Sequence, residues 1–165
     1  DALVGSSYRE YSYRFVIMAL FFGVSMTNQM LWVTCSPITT NLQSIYGLEQ
    51  VIINLSSLLA MVLYVPAAIP SNYILDEYGT KKGLIIGTLL TIIAAWARVF
   101  ADSSFYYVLL GQILASIGQP LILNCPQKIS AYWTIPQKRT IFTTLLTLAA
   151  PLGVAIGFVL PGAIV

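Results

Sequence analysis

The spacing of charged residues constrains this chain more than any other feature of it. None of the 34 positions between Arg14 and Glu49 carries a charge, nor any of the 26 between Glu49 and Asp76. A further 25 uncharged positions separate Asp102 from Lys128, and 26 follow Arg139 as far as Val165. A helix needs roughly 20 apolar residues to cross the hydrocarbon of a bilayer, so each gap has room for one crossing. Between Lys82 and Arg98 the gap is 15 residues. A crossing there must run on to about residue 101, with Arg98 reaching toward the membrane surface on its aliphatic stem. The sequence therefore predicts five transmembrane helices, at about 14–36, 51–75, 83–101, 105–127 and 140–165. The fold class is all-α: a polytopic membrane helix bundle forming a single transmembrane domain over 1–165.

Composition decides which functions remain open. Charged residues make up 8% of the chain and hydrophobic ones 58%, against about 25% charged in a soluble domain. The basic residues are scattered between apolar runs, which gives no groove for nucleic acid. There is no histidine, which removes the commonest general base and metal ligand. Cys35 and Cys125 fit no metal spacing, and the topology below puts them near opposite faces, too far apart for a disulfide. No nucleophile–base or metal set is visible, so neither an enzyme nor a bound cofactor or metal is expected. The start at Asp1 without a methionine, and the stop inside an apolar run, read as marks of a processed or partial chain.

Lysine and arginine set the expected orientation. With the amino terminus in the cytoplasm, or an equivalent inner compartment, Arg9, Arg14, Lys81, Lys82, Lys128, Lys138 and Arg139 all fall on that side. Only Arg98 falls opposite. The plasma membrane and the mitochondrial inner membrane both suit this arrangement. The loop 36–49 is then external, and 128–139 reads as a short interfacial helix or turn anchored by Tyr132 and Trp133.

Four of the fourteen charged residues crowd into positions 76–83. Gly79 and Gly83 suit a turn there, Asp76 can accept from backbone N–H groups, and Lys81 and Lys82 stay in water. Prolines are frequent in the crossings: Pro66 and Pro70 interrupt the second, Pro120 and Pro126 the fourth, Pro151 and Pro161 the fifth. Gly153 and Gly157, four apart, form a face that lets another helix approach closely.

Two polar stripes stand out. Ser25, Asn28, Trp32 and Cys35 recur at helical spacing on the first helix. Asn28 lies about 21 Å and Trp32 about 27 Å past Arg14 at roughly 1.5 Å per residue. Trp32 reads either as an interfacial belt residue or as a ring face for a quaternary ammonium. Gln112, Ser116 and Gln119 share a face of the fourth helix, and buried amides need partners. They are either interhelical bonds or the polar wall of a transport path, to which Ser57 and Tyr64 of the second helix could add. Away from the helix ends no ionisable residue lies within a crossing, which argues against proton coupling by this chain alone.

The stretch with Asp76, Gly79, Lys81 and Lys82 resembles the signature loop of the major facilitator superfamily, with Asn72 where that pattern has its first glycine. Within that superfamily the chain is most similar to the feline leukaemia virus subgroup C receptor-related transporters. The similarity rests on Trp32 to Ile38, Tyr64 to Pro66, Leu75 with Asp76 and Gly79, and Ala95 with Trp96. It continues through Gly111, Gln112, Gln119, Ile122, Leu123, Pro126, Ile129, Leu152, Gly153, Gly157, Phe158 and Pro161. It implies the amino-terminal six-helix half of a twelve-helix carrier for choline, ethanolamine or haem. Asp76, Gly79, Lys81 and Lys82 would then latch one conformational state, Trp32 and Gln119 match substrate-contacting positions of that family, and Asn28 and Gln112 of the polar stripes would join them in contacting substrate. Ala150 and Pro151 stand where the resemblance leads one to expect an asparagine–glutamine pair.

Two functions follow. The first is a solute carrier working by alternating access, its partners the lipid bilayer, a small-molecule substrate and a missing carboxy-terminal half. The alternative is a transport-inactive, transporter-derived structural subunit among other membrane subunits.

Overall fold

A computed structural model describes residues 12–34, 36, 43–44, 47, 50–100 and 104–164, with backbone alone at 50, 53–57 and 161–164. The regular structure among them is entirely helical: α1 (Tyr13–Val33), α2 (Gln50–Glu77), α3 (Thr80–Val99), α4 (Phe105–Leu123), α5 (Cys125–Trp133), α6 (Arg139–Thr147) and α7 (Ala149–Ile164), with a 3-10 turn at Pro136–Lys138 before α6. Five stretches among the described residues are long and apolar enough to cross a membrane: Tyr13–Val33, Leu58–Glu77, Thr80–Val99, Phe105–Trp133 and Pro136–Leu160.

The fourth crossing runs six residues beyond the point at which Lys128 suggests a stop. Lysine is a good helix former, and the helix continues through Lys128, whose ammonium is paired with Asp76 of α2. The breaks in the fourth and fifth crossings lie just ahead of prolines. Pro126 has no N–H for the carbonyl of Ile122, and Asn124 closes that turn instead. Pro151 likewise has none for Thr147, and Leu148 separates α6 from α7. Pro66 and Pro70, by contrast, do not interrupt α2, which is helical throughout.

The α4–α5 rod is the centre of the bundle. In its most apolar part 61% of residues are buried, against 17–33% in the other crossings. Its neighbours are α3 and α2, while α1 packs chiefly on α7. Glycine makes these approaches possible. A Cβ on Gly118 would stand 3.1 Å from the carbonyl oxygen of Gly87, and one on Gly111 2.8 Å from that of Ala94. The face expected at Gly153 and Gly157 lies on the backbone of α1 at Met26 and Met30.

At one end of the bundle Met18, Phe21, Leu75, Leu121, Ile122, Cys125, Ile129 and Leu146 form an apolar core. Leu20, Val65, Ile69, Ile93 and Val159 are exposed, as lipid-facing residues are. Exposed aromatic residues mark both ends, Tyr13, Tyr78 and Tyr132 at one, Trp96, Phe100 and Tyr106 at the other. Within the crossings, hydroxyls such as those of Thr27, Thr88 and Ser116 donate to carbonyls one turn earlier, which satisfies them without water.

The turn between α2 and α3 rests on one glycine. Gly79 has φ +85° and ψ 159°, a combination that residues with a Cβ avoid. Gly83 differs from the sequence expectation: it is helical, and its missing side chain makes room for Leu75, whose Cδ2 would be 2.5 Å from a Cβ there. Gly79→Ala should therefore cost of order 1 kcal/mol through backbone strain, read as a lower thermal unfolding midpoint in detergent. The space around Gly79 is open, so an unchanged midpoint would show that the backbone there is not held in this conformation.

Candidate functional site

Side-chain amides tie α1 to α3 and α4 at two heights. Deepest, Gln119 of α4 donates from Nε2 to Oε1 of Gln29 at 2.7 Å. At about the same level Asn28 donates from Nδ2 to Oγ1 of Thr91 on α3 at 2.9 Å, and Thr91 passes its proton to the carbonyl of Gly87 at 2.9 Å. Two turns along α4 from Gln119, Gln112 donates from Nε2 to the backbone carbonyl of Trp32 at 3.3 Å. Asn28, Gln29, Thr91, Gln112 and Gln119 are all buried, where an unpaired amide would be costly.

Arg98 completes the upper contact. The sequence suggested that it reaches for the membrane surface. It turns instead onto the end of α1, where its guanidinium donates to the carbonyl of Leu31 and to Oε1 of Gln112. A cation against the last carbonyls of a helix is favoured by the helix dipole. Gly111 is what lets Arg98 lie there, since a Cβ at that position would be 2.9 Å from Arg98 Cγ.

The structure thus brings Asn28, Trp32, Gln112 and Gln119 to one region, each amide engaged with a neighbouring helix and Trp32 half-buried with its backbone carbonyl bonded. Ser116 turns back on its own helix, to the carbonyl of Gln112. Tyr64 is half-buried on α2. Cys35, and the side chain of Ser57, lie outside the described residues. Sequence reasoning passed over Gln29 and Thr91. Gln29 could have been found, being adjacent to Asn28 and three residues before Trp32; Thr91 sits in an otherwise apolar helix and gave no signal.

At the opposite end the loop residues have separate surroundings. Asp76, expected to accept from backbone N–H groups, is ion-paired with Lys128. One turn earlier Asn72 accepts from Asn124 at 2.7 Å, so α2 and the α4–α5 rod are joined by two rungs. Lys82 lies 5.7 Å from the centre of the Tyr78 ring. Lys81 and Gly79 line a cavity of about 620 Å³ with Tyr13, Tyr132 and Trp133.

The family model that describes the Major Facilitator Superfamily matches residues 15–165. The chain belongs to the major facilitator superfamily. This superfamily chain is 31% identical over 154 residues to the choline/ethanolamine transporter FLVCR1 of Felis catus, an alignment covering 92% of the chain and 28% of that relative. It is 28% identical over 155 residues to the choline/ethanolamine transporter flvcr2b of Danio rerio, covering 93% and 32%. It is 24% identical over 168 residues to solute carrier family 49 member A3 of Xenopus tropicalis, covering 96% and 35%. The chain spans about a third or less of the length of these relatives. With its apolar helices, this membership makes it an integral, multi-pass membrane protein.

Proposed function

We propose that this chain is the amino-terminal bundle of a solute carrier that moves a small organic cation of the choline or ethanolamine kind. The observation that carries the reading is the buried amide pair of Gln29 and Gln119 in an otherwise apolar bundle, with Trp32 three positions along α1 from Gln29. Trp32 would attract the cation through its ring face, and the amides would hydrogen-bond the polar end. Asn28 and Gln112, already bonded to Thr91 and to Arg98 and Trp32, would hold α1 so that the indole stays in place. Two relatives named above are choline/ethanolamine transporters, and the cluster's neutral amides and ring suit such a solute.

Transport would proceed by rocking of this bundle against a second one contributed by the rest of the carrier. Gly79, Lys81, Lys82 and the Asp76–Lys128 pair would form the latch at the loop end. The amino terminus would lie in the cytoplasm, or the equivalent inner compartment, of the plasma or mitochondrial inner membrane. None of the relatives named above is a structural subunit, and no other observation favours that alternative. The test is uptake of radiolabelled choline by proteoliposomes containing the full-length protein. Saturable uptake that ethanolamine competes supports the reading; no uptake above that of empty liposomes overturns it.

A further inference from the structure

The cavity between the start of α1, the start of α3 and the end of α5 has two layers. Tyr13, Lys81 and Trp133 stand at the helix ends, and one turn further into the bundle, about 5.4 Å, the same three helices present Ile17, Ile85 and Ile129. The Tyr13 and Trp133 rings meet across it, their centres 6.4 Å apart. Tyr13 and Tyr132 of the outer layer and Ile85 of the inner one are exposed, so the cavity opens to the surroundings of the bundle at both depths. Its charge is one-sided. Among the described residues Lys81 is the one charged member of the lining, and it has no carboxylate partner. Lys82 lies over the Tyr78 ring instead, and Asp76 is taken up by Lys128. Tyr78 and Tyr132 add phenol hydroxyls that have no hydrogen-bond partner among the described residues, and each can donate.

We propose that this cavity docks one anionic phospholipid from the leaflet on the side of the α2–α3 turn, its phosphate on Lys81 and the Tyr78 and Tyr132 hydroxyls, its chains along Ile17, Ile85 and Ile129. Donors and a cation at the aromatic belt, above an aliphatic layer, match both halves of such a lipid. The volume of about 620 Å³ is that of a small-molecule site; it would hold the glycerol phosphate and the start of the chains, whose ends run on into the bilayer. Charge selects the headgroup. A zwitterionic lipid brings an ammonium group, and the lining offers it no carboxylate, only the like charge of Lys81. A headgroup with net negative charge meets no such conflict. The site is independent of the carrier reading, since it needs only that the bundle lies in a bilayer.

The experiment is native mass spectrometry of the delipidated full-length protein in detergent, titrated with dioleoyl phosphatidylglycerol or with dioleoyl phosphatidylcholine. Wild type is expected to bind its first phosphatidylglycerol about fivefold more tightly than its first phosphatidylcholine, the effect of one lysine at an anionic headgroup. Lys81→Gln should bring that ratio to about one; Lys81 is exposed and holds no other side chain, so the variant should fold. Lys82→Gln removes the same charge one residue away, off the cavity wall, and should keep the fivefold preference. A preference that survives Lys81→Gln, or that both variants lose equally, overturns the site, as does equal binding of the two lipids by wild type. Soluble glycerol phosphate should leave the bound lipid in place; displacement would make the phosphate alone the ligand and overturn the lipid assignment. Uptake of neither lipid by wild type also overturns it, and is the result expected if another part of the full-length chain fills the cavity.

Discussion

Trp32→Ala should weaken choline binding about thirtyfold. A desolvated cation–π contact contributes about 2 kcal/mol, and each 1.4 kcal/mol is a factor of ten. The effect should be confined to the ring, because the link from this position to the rest of the bundle is made by the backbone. The Trp32 carbonyl accepts from Gln112, and Arg98 holds the carbonyl of Leu31 beside it. Truncating the side chain leaves both acceptors in place. Titration calorimetry on the full-length protein would give the affinity, and Trp32→Phe, with a smaller ring face, should fall between. An unchanged choline affinity would remove the indole from the site and return Trp32 to the membrane-interface role its half-burial also permits.

Gly153→Leu should destabilise the bundle by about 3 kcal/mol, the upper end of what overpacking costs. A Cβ at this position would stand 2.4 Å from the Met26 carbonyl oxygen and 2.9 Å from its Cα. Those atoms are helix backbone, which cannot rotate aside as a side chain can, so α7 would have to move off α1 as a whole. The thermal unfolding midpoint in detergent reads this directly. Ala155→Leu is the control: two residues away and exposed, it should change the midpoint little. Equal midpoints for the two variants would show that α7 does not pack against Met26.

Much of the architecture could be read from where charges are missing. Long uncharged runs need an apolar solvent, so five crossings follow, and Gly153 with Gly157 announces a close helix contact. The same logic does not give the length of the helix, because a lysine interrupts an apolar run in sequence without stopping a helix, and α5 continues through Lys128 to Trp133. Glycines posed a similar ambiguity. Gly79 and Gly83 look alike in sequence, yet one makes the turn and the other makes room for Leu75. The polar residues of the candidate site were legible as a list but not as pairs. Gln29 and Gln119 are 90 positions apart, Asn28 and Thr91 are 63, and nothing local marks either as a partner. Arg98 was misread for a related reason: its length suits the membrane surface as well as the end of a neighbouring helix, and only the gap left by Gly111 decides between them.

The two levels of bonding along α1 have a mechanical consequence. Sliding that helix by a single turn, about 5.4 Å, would break the contacts to Gln119, Thr91, Gln112 and Arg98 together, and spinning it would do the same. Shear of α1 past its neighbours would therefore cost several buried hydrogen bonds at once. Movement of α1, α3 and α4 as one block would keep them, and deuterium should then enter the middle of α1 as slowly in the presence of substrate as in its absence.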